Sequence, residues 1–396
     1  MTPAEPWLKT HPWLNFSLDL RRCTHTMWIG LGEAQSKCQH LAGVALKPET
    51  AQELLIIFLA KGVHATTAIE GNTLSEEQVR QRIETQADVV PQSQRYLQTE
   101  VDNVVALSSE IANLAASQRS EAISVADICG YNARLLDGLE VDDHVVPGTL
   151  RNITVGVNDY RGLDAKFCEP LLSRLCAWLN GDTFAPPDPN NKVVYGILKA
   201  IAAHLYLAWI HGFGDGNVRI ARAIEVRFLM EAGVPMTAAH LLSNHYNQTR
   251  SEYYRQLSRA SKSGGDVAPF LAYSVEGFVD QLRAQLDIVR VYQFNMAWEN
   301  YVYDRFGKNK SHADKRQIKL LLALSEREEW VERTQLRRLT VEIAEEYAVK
   351  TAKTLSRDLN RLENEQFVLR RGNYFLANKG IIRAFLPKQN VEMKPN

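Results

Sequence analysis

Apolar residues return every three to four positions through most of the chain between about residues 29 and 260, which is the spacing of amphipathic helices. One such helix begins after Pro48 and ends at Gly71-Asn72, a pair that commonly terminates helices. The next one has Ser75 as its N-cap and acidic residues in its first turn. The pattern therefore predicts a mostly α protein.

One segment of this helical body departs from the pattern. Residues 145–162, VVPGTLRNITVGVNDYRG, are rich in β-branched side chains and lie between Pro147-Gly148 and Arg161-Gly162. β-branched residues favour strands, and proline and glycine commonly bound them. We expect a short β-hairpin here.

Residues 192–210, KVVYGILKAIAAHLYLAWI, are apolar on almost every face, which is typical of a helix buried at the centre of a bundle. This helix leads into a loop that contains Gly212, Gly214 and Gly216. Glycine in a helix interior is less stable than alanine by about 1 kcal/mol, so the three glycines indicate a break between two helices. A second helix follows and ends at Gly233.

A polar linker at residues 306–312, FGKNKSH, follows a long helix predicted for residues 269–305. Beyond it, three predicted helices and a hairpin have the order of a winged helix-turn-helix. Between residues 310 and 388, Lys and Arg outnumber Asp and Glu by 17 to 11. We therefore expect an N-terminal helical region at 1–110, a core at 111–306 and a winged-helix domain at 311–390.

Composition bears on binding to nucleic acid or membranes, on disulfides and on zinc sites. The chain has 396 residues with 46 Lys and Arg against 46 Asp and Glu, so no overall charge attracts it to nucleic acid or membranes. The five cysteines are scattered without a Cys-x-x-Cys pair, which favours neither disulfides nor a zinc site. The N-terminus lacks the pattern of a signal peptide, and no apolar run approaches a membrane span. We expect a cytoplasmic protein without membrane contact.

The glycine loop has the features of an anion site. A loop that opens a helix exposes unpaired backbone N–H groups, and the helix dipole favours negative charge there. Arg219 and Arg222 lie three positions apart on one helix face, and two guanidinium groups suit a polyphosphate. Asp215 places one carboxylate beside it, as the Mg²⁺ ion of a nucleotide requires.

His211 stands at the mouth of this loop and is the nearby group that exchanges a proton near neutral pH. His204 lies about two turns earlier on the same face, and we interpret it as structural. The loop is neither a Walker A sequence nor a dinucleotide fingerprint, because Gly-Lys-Ser/Thr is absent and a helix precedes it. These residues indicate nucleotide chemistry with a histidine base, and their spacing leaves the reaction open.

The stretch HGFGDGNVRIAR resembles the signature of the Fic family, His-Pro-Phe-x-Asp/Glu-Gly-Asn-Gly-Arg-x-x-Arg. Seven of the nine defined positions match, namely His211, Phe213, Asp215, Gly216, Asn217, Arg219 and Arg222. Gly212 replaces the usual proline, and Val218 replaces the usual glycine. We expect Gly212 only to loosen the loop. We expect Val218 to be the more serious change, because its β-branched side chain stands where the backbone approaches phosphate and cannot easily take a positive φ.

The resemblance implies a Fic-type helical core and an enzyme that transfers AMP from ATP to a Ser, Thr or Tyr hydroxyl of a protein. It implies His211 as the general base, Asp215 as the Mg²⁺ ligand and Phe213 as a core anchor. The residues implied at the phosphates are Gly214, Gly216, Asn217, Arg219 and Arg222. ATP and Mg²⁺ are the implied substrate and cofactor.

Two further segments extend the resemblance to roughly residues 50–230. TTAIEGN, residues 66–72, resembles the inhibitory motif of the family, on a helix at about residues 50–72. There Glu70 would pair with Arg222 and hold ATP in an unproductive pose. VPGTLRNITVGV resembles the flap hairpin, which binds the target segment by strand addition.

Other functions remain open from the sequence. The enzyme could use another nucleotide, transfer phosphate as the Doc-type relatives do, or remove AMP, with Glu70 orienting water. Alternatively, a disabled loop would leave a nucleotide-sensing transcriptional regulator whose Lys353, Arg357 and Arg361, on one helix face, contact DNA. The C-terminal domain could instead dock a substrate or form a homodimer. A protein target, or the chain itself, is the expected acceptor of AMP.

Overall fold

The computed structural model describes residues 6–117, 122–154, 156–157, 160–308 and 310–383. The chain divides into two compact units, Met1–Asp287 and Ile288–Asn396. The fold is mostly α, as the hydrophobic pattern predicts.

The first unit is built mainly from helices, the last of which continues into the second unit. They are α1 (His25–Ala42), α2 (Pro48–Ile69), α3 (Glu76–Thr85), α4 (Arg95–Ala116), α5 (Val125–Leu135), α6 (Cys168–Leu179), α7 (Lys192–Ile210), α8 (Asn217–Glu231), α9 (Met236–Ala239), α10 (Leu241–Gln248), α11 (Arg250–Lys262) and α12 (Ala268–Arg305).

Local signals explain several of the helix ends. Pro48 occupies the first turn of α2, where its missing N–H has no helical partner to lose. Glu70 is the C-cap of α2, and Gly71 follows with φ 100°. The Ser75 hydroxyl accepts from the N–H of Gln78, whose side chain accepts from the Ser75 N–H, which forms a capping box. These ends agree with the boundaries expected from the sequence.

The central helix α7 is buried along almost its whole length and packs most extensively against α8. Residues 189–210, which contain it, have the length and hydropathy of a membrane span, which differs from our expectation that no apolar run reaches that length. However, 78% of the most apolar window is buried within the protein. The apolar composition of α7 is therefore explained by its place in the core.

The predicted hairpin is present but short. Strands β1 (Gly156–Val157) and β2 (Tyr160–Arg161) pair antiparallel, with Gly156 opposite Arg161 and Val157 opposite Tyr160. The connections from α5 to β1 and from β2 to α6 are irregular. Their backbone contacts with the glycine loop are described below.

The second unit has its own apolar core, which includes Trp298, Leu324, Leu359 and Phe367. Its elements after α12 are α13 (His312–Ser325), β3 (Val331–Glu332), α14 (Val341–Ala348), α15 (Ala352–Asn364), β4 (Val368–Arg371) and β5 (Tyr374–Ala377). The strands form an antiparallel sheet in the order β3-β5-β4. The three helices and the hairpin were expected from the sequence, and β3 is an additional edge strand.

The division between the units falls within α12, between Asp287 and Ile288. This point lies upstream of the polar linker at 306–312. The reason is that α12 continues without a break to Arg305, and its Trp298 and Val302 belong to the apolar core of the second unit.

Candidate active site

The glycine loop connects α7 to α8, the two helices at the centre of the first unit. His211 ends α7 in the left-handed conformation, with φ 49° and ψ 55°. This region costs a non-glycine residue about 1–2 kcal/mol, so it persists only where surrounding contacts fix the backbone. Gly216 takes φ 78° at the N-cap of α8, a conformation that glycine adopts without strain.

The loop is closed by the side chain of Asn217. Its Oδ1 accepts from the N–H of Phe213 at 2.9 Å, and its Nδ2 donates to the Phe213 carbonyl at 2.8 Å. Phe213 itself is buried in the apolar core, as its expected role of anchor requires. The Asn217 amide therefore shapes the loop, and its proposed contact with phosphate would be made by its backbone N–H.

Two residues outside the loop fix its course. The Arg151 guanidinium donates to the His211 carbonyl at 2.7 Å, and the Arg151 N–H donates to the Gly212 carbonyl at 3.0 Å. Asn132 donates to the Asp215 carbonyl at 3.0 Å and accepts from the N–H of Gly148 at 2.7 Å. Neither contact could be predicted from the sequence, because a buried polar residue has no periodic signal.

Val218 occupies a different position from the one that we expected. It lies in the first turn of α8, has no positive φ, and packs partly against the apolar core. The expectation that position 218 needs a positive φ is therefore wrong, and the crowding of phosphate by Val218 stays a prediction. That conformation is taken by Gly216 two residues earlier.

The structure brings Glu70 and Arg222 together, although they are far apart in the sequence. Arg222 donates from Nη2 to Glu70 Oε1 at 2.9 Å and to the Thr66 carbonyl at 3.0 Å. Its side chain is 1% exposed. Within the described residues, Nε and Nη1 of this guanidinium are buried without a hydrogen-bond partner. Unpartnered buried donors are costly, which makes Arg222 receptive to a further acceptor.

Arg219 is held by a second carboxylate that sequence reasoning missed. It donates to Glu100 of α4 at 2.6 Å and to both oxygens of Asp215 at 3.1 Å. Asn72 in turn donates to Glu100 at 2.7 Å. Arg219 and Arg222 are thus each paired with an acid from an N-terminal helix. Glu70 bonds Arg222 directly, and Asn72 supports the Arg219 pair by bonding Glu100.

His211 is partly buried. Burial lowers its pKa below the usual range, and the positive charge of Arg151 lowers it further. A hydrogen bond with the Ala208 backbone and the charges of Glu70 and Asp215 act in the opposite direction. A lowered pKa keeps the imidazole neutral at pH 7, the form that accepts a proton.

His204 has the structural role expected from the sequence. Its Nε2 shares a hydrogen bond with the Tyr253 hydroxyl at 2.8 Å, and its Nδ1 lies 3.5 Å from Glu225. Both His204 and Glu225 are almost completely buried. Tyr246 donates to Glu225 at 3.0 Å, so the pair belongs to a polar network inside the helical core.

Several observations bear on what the site could hold. A cavity of about 20 Å³ borders Arg219 and Arg222, which is room for one water molecule but not for a phosphate. Among the described residues, no group of three or more His, Cys, Asp or Glu side chains is placed to hold a metal ion.

Comparison with known proteins identifies the domain that contains this site. Residues 122–229 match the Fic/DOC family. The chain is 29% identical over 235 residues to the protein adenylyltransferase fic-1 of Caenorhabditis elegans, covering 57% of this chain and 42% of that protein. It is 31% identical over 214 residues to fic-1 of Caenorhabditis briggsae, covering 53% and 38%. The chain thus spans less than half the length of these relatives.

Solved structures show the same fold. A Fic family protein from Desulfovibrio desulfuricans G20 superposes with a TM-score of 0.53 at 18% identity, over 89% of this chain and 96% of that one. Residues 134–508 of Fic-1 from C. elegans superpose with a TM-score of 0.52 at 24% identity, over 67% and 73%. These likenesses show a common fold, and the family match shows a Fic domain at residues 122–229.

Proposed function

We propose that the chain is a protein adenylyltransferase, which transfers AMP from ATP to a hydroxyl group of a protein target or of itself. The observation that supports this most is the arrangement of the loop: a partly buried His211 precedes a helix start that carries two buried arginines. Relatives that match more than half of this chain are named protein adenylyltransferases.

In this proposal His211 takes the proton from the attacking hydroxyl. Its lowered pKa keeps the imidazole able to accept a proton at and below neutral pH. The loop and the arginines bind and orient the phosphates of ATP. Charge stabilisation by fixed donors is the main way in which proteins accelerate phosphoryl and nucleotidyl transfer.

The residues fit a Mg²⁺ ion bound together with a nucleotide. The Asp215 side chain is 48% exposed, and Mg²⁺ commonly takes one or two carboxylates plus phosphate oxygens and water. Mg²⁺ would supply charge neutralisation at the phosphates. Because Arg219 now bonds both Asp215 oxygens, this pair has to loosen before Asp215 can serve as a ligand.

We further propose that α2 inhibits the enzyme. Glu70 takes a donor of Arg222 that a phosphate oxygen would otherwise receive. A charge-assisted bond to a guanidinium that is 1% exposed is hard to displace. ATP would therefore bind with its α-phosphate misaligned until the pair opens.

The test uses the full chain with ATP labelled in the α or the γ position. Glu70→Gly should increase incorporation of the α label, with a matching gain of AMP in the intact mass. His211→Ala in the same chain should abolish the label and leave ATP binding largely intact, because the base acts only in the chemical step.

Other outcomes would replace this proposal. Incorporation of the γ label would indicate phosphate transfer. Release of AMP from a labelled protein without incorporation would indicate the reverse reaction. An unchanged rate in Glu70→Gly would show that the Glu70–Arg222 pair does not limit the reaction.

A further inference from the structure

A buried arginine outside the Fic signature joins three parts of the site. Arg151 is 5% exposed. Its Nε donates to the His211 carbonyl at 2.7 Å, its Nη1 to the Ile153 carbonyl at 2.6 Å and its Nη2 to the Leu163 carbonyl at 2.8 Å. All three acceptors are backbone oxygens. The planar guanidinium, with donors in fixed directions, suits three such partners at once.

The three carbonyls that Arg151 bonds belong to different parts of the site. Ile153 lies before the hairpin formed by β1 and β2, and Leu163 lies after it. His211 is the residue at which α7 ends and the glycine loop begins. One side chain therefore ties both legs of the hairpin to the backbone of His211.

The contact also accounts for the backbone conformation of His211. The Arg151 Nε bonds the His211 carbonyl, and the Arg151 N–H bonds the carbonyl of the next residue, Gly212. These carbonyls lie at the C-terminal end of α7, where the helix dipole favours a positive charge. On the other side of the His211 Cα, its N–H donates to the Leu207 carbonyl at 3.0 Å, so bonds before and after the Cα hold the left-handed conformation.

We propose that Arg151 is a positioning residue, which sets the backbone of His211 against the hairpin so that base and target-binding strand are aligned together. The inference rests on the function proposed above. It predicts that replacing the forked side chain misplaces His211 even where the replacement keeps the charge.

Electrostatics provide a second readout. Burial is the main cause of the lowered pKa of His211, and the charge of Arg151 adds to it. The Ala208 backbone, Glu70 of α2 and Asp215 of the loop oppose this effect. Removing the charge of Arg151 should therefore raise the pKa of His211, whereas lysine at the same place should leave it low.

The experiment compares Arg151→Lys, Arg151→Gln and a control, Arg227→Lys, in full-length Glu70→Gly protein. Arg227 is a buried arginine of α8 that bonds Glu231 at 2.7 Å and the Tyr131 hydroxyl at 3.5 Å, and it lies five residues beyond Arg222 on α8. Three quantities are measured: labelling from α-labelled ATP, the NMR titration of the His211 ring assigned with His211→Ala, and the unfolding temperature.

We expect both Arg151 variants to lose about 100-fold in kcat, the effect of roughly 1 Å of misplacement. Arg151→Gln should also raise the His211 pKa, which moves the acid limb of the pH–rate profile to higher pH. Arg151→Lys should leave both unchanged. Arg227→Lys should change the unfolding temperature alone.

Two results would overturn the inference. One is that Arg151→Lys and Arg151→Gln both fold and both keep the parent kcat and the parent titration of His211. The other is an equal loss of activity and stability in all three variants, which is the result of general destabilisation. Failure of the proposed function gives a different pattern: the His211→Ala protein would still be labelled, while the ring titration would still report whether Arg151 acts on His211.

Discussion

Several side chains of the site are held by charged partners, and these bonds occupy the groups that would otherwise bind substrate or Mg²⁺. Glu100 is the clearest case, because it bonds Arg219 at 2.6 Å while Arg219 bonds Asp215. The Glu100 and Arg219 side chains are 13% and 7% exposed, so neither charge is well screened by water. Glu100 therefore leaves Arg219 with one counter-charge when Asp215 is released.

We expect Glu100→Gln to raise the Mg²⁺ concentration needed for half-maximal labelling by several-fold. With the charge of Glu100 gone, Arg219 would hold Asp215 more tightly, and Mg²⁺ would compete less well for that carboxylate. A Mg²⁺ titration of α-label incorporation in the Glu70→Gly background measures this.

The neighbouring exposed acid Glu84 on α3, which pairs with Arg80, provides the matched control as Glu84→Gln. A lower Mg²⁺ requirement in Glu100→Gln would indicate the opposite role, in which Glu100 is a second inhibitory acid like Glu70.

At the scale of elements, the position of α2 depends on very close packing. A Cβ atom added to Gly62 would lie 2.3 Å from the Cβ of His240 and 2.7 Å from its Cγ. These His240 atoms lie next to the backbone and cannot swing away, so the backbone of α2 or of the segment around His240 would have to shift. Glu70 caps the same helix, and a shift of α2 is therefore a shift of the inhibitory carboxylate.

We predict that Gly62→Ala lowers the free energy of unfolding by about 1–3 kcal/mol, as overpacking commonly does, and increases α-label incorporation. Gly32→Ala is the control, since Gly32 lies in α1 with no atom within 4 Å of its added Cβ. That variant should gain up to about 1 kcal/mol of stability without a change in labelling. Equal labelling by both variants would contradict the link between the packing of α2 and inhibition.

The sequence predicted those features of the site that local spacing determines. The end of α2 at Glu70, the break at His211 and the start of α8 all follow from helix-ending residues and glycines. Arg151, Asn132 and Glu100 could not be predicted as site residues. Their partners are backbone oxygens or side chains distant in sequence, and nothing in the hydrophobic periodicity distinguishes a buried arginine from an exposed one.

For the whole molecule, the balance of charge conceals an uneven distribution. The total is zero, yet residues 310–388 carry the excess of Lys and Arg noted above. On α15, Lys353 and Arg357 are exposed, whereas Arg361 bonds Asp314 at 2.6 Å and Glu365 at 2.9 Å. Of the three basic residues expected on one face of α15, Arg361 therefore has its charge offset by two acidic partners.

If the second unit binds DNA, the double variant Lys353→Gln/Arg357→Gln should weaken binding on every sequence. The slope of log K against log salt should become shallower by about two, because each phosphate contact contributes about 0.9. Arg361→Gln should change it less, since Arg361 already has acidic partners. Electrophoretic shift assays across salt concentrations measure both, and absence of binding by the parent protein would exclude the DNA-binding interpretation.

The apolar character of α7 has a consequence for synthesis of the protein. Residues 189–210 have the hydropathy of a membrane-inserting segment, and their most extensive packing is with α8, which begins at Asn217. During translation the segment leaves the ribosome before α8 does, and for that interval its apolar surface lacks its main cover. Chaperones and the insertion machinery recognise such surfaces. The yield of folded protein should therefore depend on how quickly the ribosome passes residues 211–231.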